Sequence, residues 1–369
     1  MTVRPDQARV ELGLDTFGDV TVDDEGRLLS DAEVIRNVVE EAVVADQLGL
    51  DFFGVGEHHR ADFAVSSPET VLAAIAGRTE RIHLGSAVTV LSSDDPVRVF
   101  QRFATLDAVS GGRAEVILGR GSFTESFPLF GLLLEQYEQL FTEKLELFTQ
   151  LLTEEPVHWQ GGTRAPLDGQ QVVPRTASGA LRTWVGVGGS PESVVRAARH
   201  GLPLMLAIIG GESARFAPLV DLYHRALAEF GHPTRPVGVH SPGHVAATDE
   251  LALEEYWPHW KPMRDRIGAE RGWPPATASE FRQAAGPDGA MYVGSPSTVA
   301  RKIATTVTTL GLSRFDMKYS AGTLPHGALL GSIERYGTEV APRVRELVQE
   351  AASAGEQPIG SRLVEQPRP

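Results

Sequence analysis

The chain has 369 residues, with 34 Lys and Arg against 48 Asp and Glu and a formal net charge of −14, an acidic balance that makes nucleic acid and anionic membranes poor partners. It has no cysteine, which excludes disulfides, thiolate metal sites and a cysteine nucleophile. No apolar run approaches the roughly 18 residues of a membrane span and Met1 to Gly13 holds no apolar signal core, so the expectation is a soluble, cytoplasmic chain forming two ordinary domains or one large α/β barrel.

Val10 to Thr16 predicts a buried strand ending in Asp15-Thr16-Phe17-Gly18. From Asp31 to Leu48, Val34, Ile35, Val38, Val39, Ala42 and Val43 recur with helical period, and Gly49 closes the run. Asp51 to Gly56 predicts a second strand, with Glu57-His58-His59-Arg60 at its carboxyl end. A helix over Pro68 to Arg78 follows, then a third strand over Ile82 to Val90, broken at Gly85-Ser86. Next come a helix over Pro96 to Ser110 and a fourth strand over Ala114 to Leu118, which runs into Gly119-Arg120-Gly121-Ser122.

Tyr137 to Leu152 predicts a fourth helix, and the Gly- and Pro-rich stretch Val157 to Pro174 an excursion of hairpin type. Trp184 to Val187 predicts a fifth strand. Gly188 and Gly189 then allow a tight turn, Ser190 is a helix cap, and Pro191 takes the first helical position ahead of Val194, Val195, Ala197 and Ala198. Further strands are predicted over Leu204 to Ile209 and over Val237 to Ala247, the latter bent at Pro242-Gly243, with a helix over Ala214 to Phe230 between them. Asp249 to Gly289, with Trp257, Trp260, Trp273 and several prolines, breaks the rhythm and reads as an inserted helical lid. Ser295 to Leu310, Phe315 to Tyr319 and Leu329 to Val348 resume it as helix, strand and helix, and a polar tail follows Ala351.

Apolar strands alternating with helices predict a parallel sheet covered by helices. About eight of each, without a chain reversal, favour a (β/α)8 TIM barrel over a doubly wound sheet. The insertions fall after the fourth strand and helix and before the seventh helix. The expected organisation is one domain over residues 1–350, a lid at 249–289 and a flexible tail at 351–369.

Barrels bind ligands at the carboxyl ends of their strands. That rule collects Asp15, Thr16 and Phe17; Glu57, His58 and His59; Ala87, Val88 and Thr89; Gly119, Arg120 and Gly121; and Gly188, Gly189, Ser190 and Ser193. The amides of the helix after Ser190, with the hydroxyls of Ser190 and Ser193, read as an anion site, and Arg120 as its countercharge. The bland alternative is a well-capped helix with no ligand. Gly294-Ser295-Pro296 is a rival of the same kind, or a cap alone. Glu57-His58-His59 with His240 or His244 could be read as metal ligands. However, neighbouring residues on a strand face opposite ways, so at most one histidine enters the pocket, and no metal is expected. Whether His58 or Glu57 faces the pocket stays open, and His59 reads as packed or paired on the outer side. Trp257, Trp260 and Trp273 read as core or dimer contacts.

Four segments, GVGEHHRADF, LGSAVTVLSSDDPVRVFQRFATLDAVSGGR, LGRGSFTESFPLFG and AARHGLP, together resemble the bacterial-luciferase-like flavin monooxygenase family. The resemblance covers most of Val10 to Leu152, then Trp184 to Ile209 and Val293 to Tyr319, and lies closer to an oxidoreductase branch than to the light-emitting enzymes. It implies that Arg120, Ser190 and Ser193 hold the flavin phosphate, and that Ala87-Val88 form a bulge, often with a cis peptide, against the flavin ring. It further implies that Gly119, Gly121, Gly188 and Gly189 bring backbone to the cofactor, that His58 assists the oxygen chemistry, and that Thr16, Phe17 and Glu57 line the substrate pocket. Gly189 departs from an acidic residue in the luciferases and Gly119 from their reactive cysteine, which argues against light emission and aldehyde use.

The function so implied is an FMN-dependent monooxygenase acting with O2 on a small organic substrate. Its reduced FMN would come from a separate NAD(P)H:flavin reductase, and it would be a homodimer through the second and third helices. The alternatives are a deazaflavin-dependent hydride-transfer oxidoreductase of the same fold, a non-catalytic flavin-binding protein and a metal-dependent hydrolase.

Overall fold

The structure, a computed structural model, describes residues 9–23 and 25–354, so residues 355–369 of the expected tail lie outside the described residues. Strands and helices alternate as β1 (Glu11–Thr16), α1 (Asp31–Gln47), β2 (Phe52–Val55), α2 (Pro68–Ala76), β3 (His83–Ser86), α3 (Pro96–Ser110), β4 (Ala114–Gly119) and α4 (Tyr137–Leu151). They continue as β5 (Arg182–Val187), α5 (Pro191–Arg199), β6 (Leu204–Ala207), α6 (Ala217–Glu229), β7 (Val237–Val245), α7 (Pro296–Leu310), β8 (Arg314–Lys318) and α8 (His326–Arg335). The fold is a (β/α)8 barrel. Among the described residues no helix is long and apolar enough to cross a membrane.

The chain divides into two compact units, residues 15–187 in one and the remaining described residues in the other. In the first unit, parallel strands run in the order β2-β3-β4-β5. Phe52, Phe53, Leu84, Val116, Leu118 and Trp184 are buried there, each large side chain stabilising the fold by about 1.5–3 kcal/mol. Local chemistry starts and stops the helices. Ser30 and Glu33 form a capping box at α1, and the Asp95 carboxylate accepts the Val97 and Arg98 amides at 2.9 and 3.2 Å at α3. Gly111, with φ +69°, ends α3 in the left-handed region. Val157–Trp159 pairs antiparallel with Leu167–Gln170, giving the hairpin expected after α4.

Strand three is interrupted two residues later than its Gly85-Ser86 pair predicts, at the Ala87-Val88 position that the family resemblance implies. Gly85-Ser86 lie inside β3, Ala87-Val88 are joined by a cis peptide, and the strand resumes at Thr89–Val90. Gly85 is needed for close approach rather than for a break. A Cβ there would come 2.8 Å from the Phe52 ring.

In the second unit β6, β7 and β8 are parallel neighbours, and the Glu11 amide donates to Ser313 O at 2.9 Å beside β8. β7 stays continuous through the expected bend and changes partner there. Gly238 to Pro242 face β8, whereas Gly243 to Val245 face Tyr292–Gly294. β8 begins at Arg314 and carries a buried row of Arg314, Asp316 and Lys318, with Arg314 Nε 2.9 Å from both Asp316 oxygens. The final helix starts earlier than predicted and contains a π turn, Tyr336–Val340, before Ala341–Ser353. Pro342, which has no N–H to donate, sits at the point where regular helix must restart.

The inserted segment is helical, as Asp249–Glu270 and Ala278–Ala285. Trp257 and Trp260 lie 5.0 and 5.4 Å from the Phe281 ring, so they pack the two inserted helices together. Trp273 is 44% exposed, with the Arg264 and Arg271 guanidiniums 5.0 and 5.2 Å from its ring.

Candidate active site

The segment after β2 is strung on backbone hydrogen bonds. Gly56 N donates to Thr16 O at 2.8 Å, Glu57 N to Val88 O at 3.2 Å, and His58 N to Val65 O at 3.1 Å. These bonds fix which way each side chain points. Glu57 and His59 share one side, where Glu57 Oε1 lies 2.9 Å from His59 Nε2 and Glu57 Oε2 accepts the Val90 amide at 2.8 Å. Both carboxylate oxygens of buried Glu57 are thereby engaged with the protein.

His58 points the other way, into an aromatic enclosure. Its ring stacks on Phe63 at 4.4 Å and takes edge contacts from Phe17 at 4.6 Å and Phe123 at 5.2 Å. Three phenylalanine rings around the half-buried imidazole limit its rotation and cover part of its surface. Thr16 is buried and its Oγ1 accepts the Gly18 amide at 3.0 Å, so Phe17 leaves the strand in a set direction. Phe63 and Phe123 carry no motif of their own. The only hint of them in the sequence is an aromatic residue shortly after each polar run.

Ala87 and Val88 sit in a cradle of missing side chains. A Cβ on Gly56 would lie 2.9 Å from Ala87 O, and one on Gly54 2.9 Å from Ala87 Cβ. On the other side, a Cβ on Gly119 would lie 2.5 Å from Val88 Cγ2, so the Val88 isopropyl group fills the place of any side chain at 119.

Arg120 pairs with Glu138, and its guanidinium lies 5.2 Å from the Tyr137 ring. The Tyr137 hydroxyl in turn donates to Gly121 O at 2.8 Å.

The second unit contains both Gly-Ser-Pro helix starts, and they differ. At α5, Gly189 has φ +114° and a Cβ on Gly188 would meet nothing within 4 Å. Ser190 caps the helix by accepting the Ser193 amide at 3.3 Å and donates to the Ser193 hydroxyl at 2.8 Å. The acidic residue of that first turn, Glu192, is exposed. At α7, a carboxylate already occupies the helix start. Asp249 Oδ1 accepts the Ser295 amide at 2.6 Å, and Asp249 Oδ2 accepts the Thr298 hydroxyl at 3.0 Å. An anion there would meet a negative charge, so of the two starts α5 is the one whose residues suit a phosphate.

His244 is fully buried, with Nε2 2.7 Å from Glu255 Oε2 and its ring stacked on Tyr256 at 5.8 Å. Burial pushes its pKa down, against the opposing pull of Glu255. It joins β7 to the inserted helix. Among the described residues no group of three His, Asp or Glu side chains is placed to hold a metal.

The sequence pattern of the luciferase-like monooxygenases matches residues 16–314. The chain is 31% identical over 259 residues to 4-hydroxyprotoasukamycin monooxygenase of Streptomyces nodosus subsp. asukaensis, covering 67% of this chain and 69% of that one. Its fold resembles the oxygenating constituent of 3,6-diketocamphane monooxygenase from Pseudomonas putida, a structure in complex with FMN, with TM-score 0.71, 20% identity and coverage of 91% of this chain and 99% of that one. It also resembles the coenzyme F420-dependent tetrahydromethanopterin reductase of Methanopyrus kandleri, with TM-score 0.67, 19% identity and coverage of 91% and 100%.

Proposed function

Because the chain belongs to the luciferase-like monooxygenase family, we propose that it is a flavin-dependent monooxygenase using reduced FMN and O2 on a small organic substrate. The observation that carries this reading is His58, an imidazole held by Phe17, Phe63 and Phe123. A half-buried proton-handling group set among aromatic rings that reduce its contact with water suits a reaction that water would discharge. Reduced flavin, when bound, supplies the electrons for oxygen chemistry.

The chain's own residues take the remaining tasks. Ser190 and Ser193 are proposed to bind phosphate at the start of α5, with Arg120 as a further phosphate ligand. Gly119, Gly121, Gly188 and Gly189 admit the cofactor to backbone, and Ala87-Val88 support its ring. Thr16 and Phe17 face the substrate. Glu57, whose oxygens hold His59 and Val90, maintains the wall rather than meeting the substrate. His58 exchanges protons through its ring nitrogens. Delivery of reduced FMN by a separate NAD(P)H:flavin reductase and assembly as a homodimer belong to the same proposal and rest on the family resemblance.

The second reading, hydride transfer with a deazaflavin, is favoured by the likeness to the F420-dependent reductase. Oxygen uptake separates them. Reduced FMN with a panel of candidate substrates should give substrate-dependent oxygen consumption that His58→Ala lowers. Anaerobic turnover with reduced F420 and no oxygen uptake with FMN would establish the deazaflavin reading instead.

A further inference from the structure

We propose that Arg60 is a positioning residue for His58, acting as a clamp that carries the segment after β4 across the imidazole. The Arg60 side chain is 10% exposed and bridges two loops of one unit. Within its own loop, Nε and Nη2 donate to Asp62 Oδ2 at 3.3 and 3.1 Å. Nη1 donates to Glu125, on the segment that follows β4. The guanidinium carbon Cζ lies over the Phe123 ring of that same segment, 4.7 Å from its centroid, and the Phe123 ring meets His58 in a T-shaped contact at 5.2 Å.

The chemistry requires arginine. Only a planar, multiply donating cation can serve carboxylates in its plane and an aromatic ring on its face at once. A lysine would offer a point charge and no platform.

The clamped segment needs such a hold. Ser126 and Phe127 are buried, but Leu129, Phe130, Leu133 and Leu134 are exposed by 62, 49, 61 and 49%. Little apolar burial beyond Phe127 therefore fixes the segment, and Phe130 adds only an edge contact with His59 at 5.1 Å. Without the Arg60–Glu125 pair, Phe123 loses its platform and its fixed distance from His58. One wall around the half-buried His58 is then lost, and the imidazole becomes more exposed.

The catalytic meaning of the clamp rests on the proposed function, in which His58 handles protons. Its geometry can be tested without cofactor or substrate. The full-length chain and its Arg60→Met, Arg60→Lys and Glu125→Gln variants are treated with diethylpyrocarbonate, and modification of His58 is followed by peptide mass spectrometry. His158, whose side chain is 71% exposed, serves as the internal standard. His58 should be modified several-fold faster in Arg60→Met and Glu125→Gln, and Arg60→Lys should not restore the native rate. Glu125 is one-third exposed, so Glu125→Gln keeps the test valid if Arg60→Met does not fold. A native His58 rate in folded Glu125→Gln overturns the clamp. In turnover, the variants should lose kcat with flavin affinity retained. Faster modification with unchanged kcat supports the clamp and overturns the role of His58 in the proposed function.

Discussion

Asp249 closes the start of α7 by accepting the Ser295 amide at 2.6 Å, although Asp249 itself belongs to the first turn of the inserted helix Asp249–Glu270. Thr248 caps that inserted helix, so the Asp249 carboxylate serves the start of a helix distant in sequence. Asp249→Ala should cost about 0.5–2 kcal/mol, the range of a lost helix cap, read from the urea midpoint. Partial burial raises the Asp249 pKa, but the Ser295 amide and hydroxyl and the Thr298 hydroxyl outweigh it, so the net shift is downward. The unfolded chain therefore binds this proton more readily, and the stabilisation present above about pH 4 is lost as pH falls through the folded pKa. The wild type should lose more stability than Asp249→Asn over that acid range. Parallel curves would contradict the role.

Gly119 and Val88 make a second coupled pair. Since a Cβ at 119 would lie 2.5 Å from Val88 Cγ2, Gly119→Ala should destabilise by about 1–3 kcal/mol, the scale of overpacking. Adding Val88→Ala should recover part of the loss. Equal penalties in the single and double variants would show that the clash is not the cause.

Lys302 ties the end of the inserted segment to α7. Its ammonium donates to Gly286 O at 2.6 Å, Met291 O at 2.7 Å and Ala285 O at 3.3 Å. Lys302→Met should cost about 1–3 kcal/mol by leaving buried carbonyls short of a donor. Burial lowers the Lys302 pKa to about 8, against a weaker opposing effect of Asp288. Between that value and the model-peptide value near 10.4, the unfolded chain binds more protons, so this group makes stability rise with pH across the window. The wild type should gain on Lys302→Met as pH rises from about 8 to 10. A constant difference would contradict the burial of a charged amine.

Arg120 is proposed to bind phosphate, yet it is already paired with Glu138, whose side chain is 58% exposed. Exposed pairs of this kind are worth about 0–1 kcal/mol, so a phosphate dianion can outcompete the carboxylate. Arg120→Ala should weaken FMN binding by about 1.5–3 kcal/mol, the scale of a hydrogen bond to a charged group, and Glu138→Gln should strengthen it slightly. Weaker binding in Glu138→Gln would instead assign Glu138 a share in holding the cofactor.

The sequence shows best what is local. Ser190-Pro191, Ser295-Pro296 and Asp95-Pro96 announce helix starts because cap and helix lie side by side in the chain, and the apolar runs announce the strands. What depends on distant partners does not show. The interruption of strand three lies at Ala87-Val88, where Gly54, Gly56 and Gly119, on other strands or at their ends, leave room; the family resemblance of residues 84–90 places it there, whereas the Gly85-Ser86 pair alone does not. Likewise, nothing in the run Glu57-His58-His59 shows that the Glu57 carboxylate holds both the Val90 amide and His59. Arg314, Asp316 and Lys318 alternate as an exposed strand face would, yet all three are buried because Arg314 and Asp316 pair with each other and Lys318 donates to Ser320. The two Gly-Ser-Pro motifs are nearly alike in sequence, and the structure tells them apart by the Asp249 carboxylate at one and the Ser190–Ser193 cap at the other.

The most direct test is a calorimetric titration of FMN and riboflavin, which differ by the phosphate alone, into the wild type and the Ser190→Ala/Ser193→Ala double variant. The account predicts that the wild type binds FMN more tightly than riboflavin, and that the double variant loses about 1–3 kcal/mol of FMN affinity while its riboflavin affinity is unchanged. Equal affinities for the two flavins in the wild type, or an equal loss of both in the variant, would contradict it.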